Sequence, residues 1–301
     1  MKYRKLINTN LELSVIGMGT HQFAGGWGKS FLKSDVQKLL DEANNLGINL
    51  LDTAPNYGDH LSEELIGNAL LGKRDNWIIA TKFGQKVNSN GKNIHDFSAD
   101  NILNQLNRSL KSLKTDYIDI YQFHSGTNND FNNVEIWDML HRQVEMGKIR
   151  YLGISMVDAY VKKNDLHQMK TMQNFKADIL QVVYNRLNTQ PENEIIPYCL
   201  KNKIGLIARV PLAKGLLSGK YKTNHSFPAN DIRSSYSAES NYKMLIDVER
   251  IKNEELPENI DMAQWSIAWC LKNNVVSAVI PGAKNIEQLR SNAQASSLVD
   301  D

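Results

Sequence analysis

The chain has 301 residues, of which 42% are hydrophobic and 23% are charged, and its formal net charge is +2. The hydrophobic fraction suffices for one large core, and a near-neutral chain without a basic arm is not expected to bind nucleic acid. Length alone suggests about two domains, although an α/β barrel routinely uses about 250 residues as one domain. The two cysteines, Cys199 and Cys270, lie in predicted helices without metal-ligand spacing, so we expect a reducing compartment and no metal site.

The sequence predicts neither a membrane span nor an export signal. Residues 1–7 lack the apolar stretch of about 7–15 residues that a signal peptide carries. No run approaches the ~18 apolar residues of a membrane-spanning helix. We therefore expect a cytoplasmic protein without membrane contact, and the pattern predicts no particular oligomeric state.

The predicted elements begin with a short hairpin, in which segments 3–7 and 11–16 flank the turn residues Asn8, Thr9 and Asn10. Short apolar runs and helical spacings then alternate along the chain. The strands are predicted near 14–18, 48–52, 77–82, 117–123, 150–154, 178–183, 204–209 and 275–280. The helices are predicted near 36–46, 61–71, 98–113, 134–146, 158–173, 192–202, 261–273 and 285–293.

Eight strand–helix units favour a (β/α)8 TIM barrel formed by a single domain, residues 1–301. The barrel is expected to carry the N-terminal hairpin and a long loop after strand 7, because 210–240 is rich in proline, glycine and polar residues. The alternative is a doubly wound sheet that binds a dinucleotide, which would carry a G-x-G-x-x-G turn after its first strand. Gly17-Met18-Gly19 does not continue to a third glycine at the right spacing, so we favour the barrel.

Four polar residues recur where predicted strands end. Asp52 and Tyr57 follow the strand near 48–52, Lys82 ends the next strand, and His124 follows the one after that. The carboxyl ends of parallel strands meet at one face of a sheet, and active sites of barrels lie at that face. We therefore expect these side chains to converge.

The four residues suit proton transfer to a carbonyl oxygen. A phenol has a pKa near 10, and an ammonium within about 4–6 Å lowers it. Lys82 could activate Tyr57 in this way, Asp52 could hold Lys82, and His124 could orient the reactive oxygen. Since no nucleophile or metal cluster accompanies them, a hydride is the expected partner in the reaction.

Each residue also has a structural explanation when it is taken alone. An aspartate after a strand often caps a helix, a tyrosine often packs, and a lone histidine is commonly a satisfied core residue. Their joint position at successive strand ends favours the functional interpretation.

Several segments resemble the aldo-keto reductase superfamily, in particular a bacterial branch related to the potassium-channel β-subunit-like reductases. They are Leu-Asp-Thr-Ala-Pro-Asn-Tyr-Gly at 51–58, Ala-Thr-Lys at 80–82, Tyr-Gln-Phe-His at 121–124 and Val-Ile-Pro-Gly-Ala at 279–283. The resemblance implies a metal-free barrel that reduces carbonyls with NADPH. The family's catalytic tetrad falls on Asp52, Tyr57, Lys82 and His124 without a substitution.

The resemblance also implies a set of contacts with NADP(H). The nicotinamide end would contact Asp52, Gly19, Thr20, Ser155, Gln181 and Arg209. The pyrophosphate and adenosine would contact Pro211, Leu212, Gly215, Lys220, Arg233, Gly282, Lys284, Gln288 and Asn292. An anion at the helix start after Gly282 and Lys284 is physically sensible.

Two residues depart from the family pattern. Met156 stands where many relatives have an asparagine, and Arg209 stands where relatives commonly stack an aromatic ring on the nicotinamide. The expected substrate is a small carbonyl or alcohol, including a sugar, and His21, Phe23, Trp27 and Phe83 are candidates for an apolar pocket wall. The alternative function is a cofactor-binding subunit for redox sensing or assembly with little turnover, but retention of His124 favours a working enzyme.

Overall fold

The chain opens with an antiparallel hairpin of β1 (Tyr3–Lys5) and β2 (Glu12–Ser14) in the computed structural model, which describes residues 1–25, 27–229 and 231–299. Ten more strands follow within these residues. They are β3 (Met18–Gly19), β4 (Leu50–Asp52), β5 (Ile78–Phe83), β6 (Gln85–Val87), β7 (Asn93–His95), β8 (Ile118–His124), β9 (Ile149–Ser155), β10 (Ala177–Val183), β11 (Gly205–Arg209) and β12 (Val276–Ile280).

Eight of the described strands form one parallel sheet, in the order β3, β4, β5, β8, β9, β10, β11 and β12. Parallel bridges from Ile16 to Val279 and from Gly19 to Gly282 bring its two ends together. A Cβ atom on Gly19 would lie 2.8 Å from the carbonyl oxygen of Ile280, so the closure requires a glycine there. The predicted (β/α)8 barrel with an N-terminal hairpin is confirmed.

The helices lie around this sheet. In the described residues they are α1 (Lys33–Asn45), α2 (Leu61–Ala69), α3 (Ala99–Leu113), α4 (Asn128–Phe131), α5 (Val134–Glu145), α6 (Asp158–Lys162), α7 (His167–Thr171), α8 (Ile195–Asn202), α9 (Ala238–Glu254), α10 (Met262–Leu271) and α11 (Ile286–Gln294). None of the helices in the described part of the chain is both long and apolar enough to cross a membrane.

The apolar core has two main parts that explain where the site lies. One layer packs the helices on the outer face of the sheet. The other fills the barrel interior with Leu50, Ala80, Ile120, Ile179 and Ile207, and Leu6, Leu11 and Leu13 from the hairpin segment belong to the same cluster. Each fully buried aliphatic side chain contributes about 1.5–3 kcal/mol. The interior is therefore a packed core, and polar side chains occupy its carboxyl end.

Two segments differ from the predicted elements. The single helix predicted at 158–173 is split into α6 and α7, because Asn164 adopts a left-handed conformation with φ 55° between them. Residues 84–97, between the strand predicted at 77–82 and the helix predicted at 98–113, contain the hairpin of β6 and β7, and Asn90-Gly91 is the sequence signal that would have indicated it.

Helix α9 is the largest element that the prediction missed. The long loop after strand 7 is present, but it ends at Ser237, whose side chain accepts a hydrogen bond from the backbone N–H of Ser240. The buried side of α9 is narrow, with Leu245, Val248 and Ile251 packed on Leu216 and Leu217 of the loop. Its many charged residues concealed this stripe in the sequence.

Candidate active site

Asp52 and Lys82 form a buried ion pair at the carboxyl end of the barrel. The Lys82 Nζ atom donates to Asp52 Oδ1 at 2.6 Å and to the carbonyl oxygen of Thr53 at 2.7 Å. Burial lowers the pKa of Lys82, but Asp52 and Tyr57 raise it by more, so the net shift is upward. The side chain therefore stays an ammonium at neutral pH.

The second carboxylate oxygen of Asp52 is also bonded. Gln181 donates to Asp52 Oδ2 at 2.6 Å, and Gln122 approaches the same oxygen at 3.4 Å. Ser155 donates from its hydroxyl to the side-chain oxygen of Gln181 at 3.1 Å. The strand register explains the chain of contacts, because Lys82 pairs with Gln122, and Ser155 pairs with Gln181.

Tyr57 is placed by a tight loop between β4 and α2. Gly58, Asp59 and His60 all have positive φ, at 69°, 49° and 70°, which turns the chain sharply after the tyrosine. The ring of His60 is held by fully buried Glu63, with a distance of 2.5 Å between Nδ1 and the carboxylate. Glu63 also accepts hydrogen bonds from Thr81 at 2.6 Å and Ser109 at 3.1 Å. The loop is therefore fixed to β5 and α3.

The Tyr57 ring lies over the ion pair. The Lys82 Nζ atom is 5.3 Å from its centroid, and His21 contacts it edge-on at a centroid distance of 4.6 Å. Burial raises the pKa of Tyr57, whereas the charges of Lys82 and Arg209 lower it. The net shift is upward. The expectation that Lys82 lowers this pKa was therefore only partly right: the ammonium acts downward, but burial outweighs it. The phenol keeps its proton at neutral pH.

His124 ends β8 on the same face, opposite Ser155 in the register. Burial, together with the charges of Lys82 and Arg209, lowers the pKa of His124 well below its ordinary value. Its Nδ1 atom is buried without a hydrogen-bond partner in the described residues. The neutral ring therefore has an unused polar atom. Two cations and one carboxylate surround these neutral groups, which favours negative charge on a reacting oxygen.

Arg209 reaches across the strand ends from β11. Its Nη2 atom donates to the carbonyl oxygen of Met156 at 2.9 Å, and its Nε atom is buried without a partner in the described residues. No carboxylate lies within 4.0 Å of it in that part of the chain, so it forms no ion pair there. Val210 follows with φ 60°, a strained conformation for a β-branched residue.

Packing alone constrains Gly19 and Thr20, two residues that were predicted to contact the cofactor. Gly19 belongs to the barrel closure, and Thr20 is fully buried, where its hydroxyl donates to the backbone carbonyl oxygen of Asp52 at 2.9 Å. After β11, Pro211 is buried, Leu212 is half-buried, and Gly215 has φ 93°. Lys220 is exposed beyond this turn.

Arg233 lies in the same long loop, where it is buried and bonded to Asp231. Its guanidinium also lies 4.1 Å from the centroid of the Phe227 ring. An antiparallel bridge pairs Asp231 with Trp27, and the ammonium of Lys284 donates to the carbonyl oxygen of Trp27. The loops after the first, seventh and eighth barrel strands therefore meet at one place.

The turn before α11 and the helix itself hold the remaining predicted residues. The backbone N–H of Lys284 donates to Gln288 at 2.9 Å, and Asn292 donates to the carbonyl oxygen of Gly282 at 3.2 Å. Gly282 is exposed, and a Cβ atom there would lie 2.4 Å from the Gln22 side chain. These four adenosine-end residues thus lie in the turn after β12 and in α11, joined by hydrogen bonds.

One residue of this site was not predicted from the sequence, and two others were wrongly assigned to the pocket wall. Gln122 contacts Asp52, and its position two residues before His124 on a strand was the available signal. His21 and Trp27, two of the predicted wall residues, are half-buried; the His21 ring contacts the Tyr57 ring, and Trp27 donates to His21 Nδ1 at 3.0 Å. Phe23 and Phe83 are in the core, so the prediction that they line a pocket wall was wrong.

Comparison with known proteins agrees with this fold. The sequence profile described as the Aldo/keto reductase family matches residues 15–301. The chain therefore belongs to the aldo/keto reductase family. Uncharacterized oxidoreductase YqkF of Bacillus subtilis (strain 168) is 34% identical over 98% of this chain and 91% of its own length.

Two further relatives carry more specific descriptions. The NADH-specific methylglyoxal reductase of Escherichia coli (strain K12) is 30% identical over 98% of this chain and 93% of its own. The holo form of aldo-keto reductase AKR11C1 from Bacillus halodurans is 30% identical, with a TM-score of 0.78 over 98% of this chain and 91% of that one. The family defines an oxidoreductase that uses a nicotinamide cofactor.

Proposed function

We propose that this protein reduces an aldehyde or ketone to an alcohol with NADPH, and that Tyr57 is the general acid. The observation that carries the proposal is the convergence of the Asp52–Lys82 ion pair, the Tyr57 phenol and neutral His124 at one end of the barrel. The bound cofactor supplies the hydride to the carbonyl carbon. The chain's own residues supply the proton and bind the oxygen.

Each of the four residues has a separate role in the proposal. Tyr57 donates its phenolic proton to the carbonyl oxygen as negative charge develops there. Lys82 stabilises the resulting phenolate, and Asp52 holds the ammonium through its 2.6 Å contact. His124 orients the carbonyl oxygen as a neutral donor. Solvent then returns the proton to Tyr57.

Unused polar atoms support the presence of a cofactor amide at this face. Arg209 Nε, Gln122 Oε1 and His124 Nδ1 are all buried without partners in the described residues. Such groups are costly unless they are bonded, so they fit a ligand that has donors and acceptors of its own. Ser155 and Gln181 are the residues proposed to bind the nicotinamide carboxamide, and Arg209 is proposed to lie against the ring.

The preference for NADPH is proposed from the positive charges on the loops that are expected to bind the adenosine end of the cofactor. Lys220, Arg233 and Lys284 are cations on loops that meet near the start of α11. A phosphate on the adenosine ribose would bind there through charge-assisted hydrogen bonds. Substrates are proposed to be small carbonyl compounds, in line with the methylglyoxal reductase relative.

A carbonyl screen tests the proposal. Wild-type protein is mixed with NADPH or NADH and a panel of aldehydes, ketones and sugars, and loss of absorbance of the reduced cofactor is followed. Turnover of at least one carbonyl supports the enzyme. Tight cofactor binding with negligible turnover across the panel would instead support the redox-sensing or assembly subunit.

A further inference from the structure

Asp231 and Arg233 form a buried ion pair in the loop after strand 7. Asp231 Oδ1 accepts from Arg233 Nε at 2.8 Å, and Asp231 Oδ2 accepts from Arg233 Nη2 at 2.7 Å. Both residues are nearly fully buried, with 4% and 5% of their surface exposed. The pair is bidentate, which is the geometry in which a guanidinium also binds phosphate.

The guanidinium has little capacity left for a further anion. Its Nη1 atom donates to the carbonyl oxygen of Lys214 at 3.1 Å and to the hydroxyl of Tyr221 at 2.9 Å. A guanidinium has five N–H donors, and these contacts together with the two to Asp231 use four of them. One donor remains, so a 2'-phosphate that binds Arg233 through two hydrogen bonds has to displace an internal partner.

The carboxylate of Asp231 acts on the neighbouring cation as well. Burial and the charges of Arg233 and Lys220 lower the pKa of Lys284, and Asp231 opposes that shift. Asp231 is also bridged to Trp27, whose carbonyl oxygen accepts from the Lys284 ammonium. Asp231 is thus ion-paired with one of the two cations that are proposed to hold the 2'-phosphate, and its charge acts on the other.

We propose that Asp231 limits the preference for NADPH that the neighbouring cations create, because its carboxylate competes with the 2'-phosphate of NADPH for Arg233 and Lys284. This inference rests on the proposed function, since it requires that a nicotinamide dinucleotide binds along these loops. An acidic side chain suits a free ribose hydroxyl, whereas an arginine suits a ribose phosphate. Asp231 Oδ2 accepts one described hydrogen bond and can accept another, so NADH gains a partner where NADPH meets repulsion.

Neutral replacements of Asp231 should strengthen NADPH binding selectively. In Asp231→Asn, the guanidinium loses its counter-ion and the ribose phosphate loses a repulsive neighbour. We expect the dissociation constant of NADPH to fall about tenfold relative to that of NADH. Asparagine is also a good helix-capping residue, so it preserves the hydrogen bond from Arg233 N that Asp231 accepts at 3.0 Å.

The experiment is a titration of the full chain with NADPH and NADH, followed by protein fluorescence. Asp231→Ser provides a second neutral variant with a capping oxygen, so the test survives if one variant fails to fold. Glu255→Gln is the matched control, because Glu255 forms a bidentate pair with Arg186, at 2.7 and 2.5 Å, near the end of α9. Its NADPH-to-NADH ratio should equal that of the wild type.

A selective gain for NADPH in the Asp231 variants supports the inference. An unchanged ratio in both variants, with both dinucleotides bound by the wild type, would overturn it while leaving the proposed function intact. If the wild type binds neither dinucleotide, the proposed function fails together with the inference.

Discussion

The ammonium of Lys82 lies 2.6 Å from the carboxylate of Asp52, and both side chains are almost entirely buried. Two buried charges are costly unless they are paired, so this pair is maintained at a cost in desolvation. The pair lies under the Tyr57 ring, where its ammonium can act on the phenol. A cation beside a phenol stabilises the anion that remains after the phenol donates its proton.

Lys82→Met should lower the rate of carbonyl reduction by about 100-fold or more, because the phenolate would lose its cation. Cofactor binding should change far less, and this is measured by fluorescence titration. Lys73→Met is the control, since Lys73 pairs with Asp41 at 2.7 Å on the surface. A Lys82 variant as active as the control would exclude this role.

The pH dependence of reduction should be broad. Burial raises the pKa of Tyr57 in spite of Lys82, and burial lowers the pKa of His124 well below its ordinary value. The acid therefore stays protonated and the histidine stays neutral from about pH 6.5 to about pH 10. In that window, kcat/KM for reduction should be flat, with a decline at higher pH as Tyr57 ionises. A loss of activity centred between about pH 7 and 8 would contradict these assignments.

Arg209→Trp should shift binding toward the oxidised cofactor. The guanidinium has no carboxylate within 4.0 Å in the described residues, and oxidised nicotinamide is positively charged. Two like charges about 4 Å apart repel by about 4 kcal/mol at an effective dielectric of 20. The ratio of the NADP+ to the NADPH dissociation constant should therefore fall in the variant. Arg209→Lys keeps the charge and should keep the ratio; equal ratios in all three proteins would refute the electrostatic account.

Glu63→Ala should destabilise the fold by about 3 kcal/mol or more, because it removes the partner of three buried groups. Those groups are His60, Thr81 and Ser109. Denaturant unfolding measures the effect. Glu254→Ala, which breaks an exposed pair with Arg250 at 3.2 Å, should cost less than about 0.5 kcal/mol. A loss at Glu63 no larger than at Glu254 would show that the network contributes little.

The barrel and the four converging residues were predictable because periodic patterns report which face of a strand or helix is buried. Asp52, Lys82 and His124 end short apolar runs, and parallel strands bring such ends together. Tyr57 was predicted from its place just after a strand, but its orientation depends on the three left-handed residues that follow it, which the pattern did not indicate.

Side-chain pairing could not be predicted in the same way. The sequence placed Arg233 among cations that face the cofactor, but Asp231, two residues earlier, takes two of its donors. The direction of the Tyr57 pKa shift could not be predicted from the sequence either. Burial and nearby charges shift this pKa in opposite directions, and the size of each effect depends on the geometry of the site. Helix α9 was missed because its buried stripe is narrow.

Tyr57→Phe tests the central claim most directly, because it removes the transferable proton and keeps the ring. Single-turnover oxidation of NADPH by a carbonyl substrate should slow by about 100-fold or more, with NADPH affinity nearly unchanged. Tyr121→Phe is the matched control, since the Tyr121 hydroxyl is buried without a partner in the described residues, and it should retain wild-type turnover. A Tyr57→Phe variant that keeps more than about a tenth of the wild-type single-turnover rate would contradict the assignment of Tyr57 as the acid.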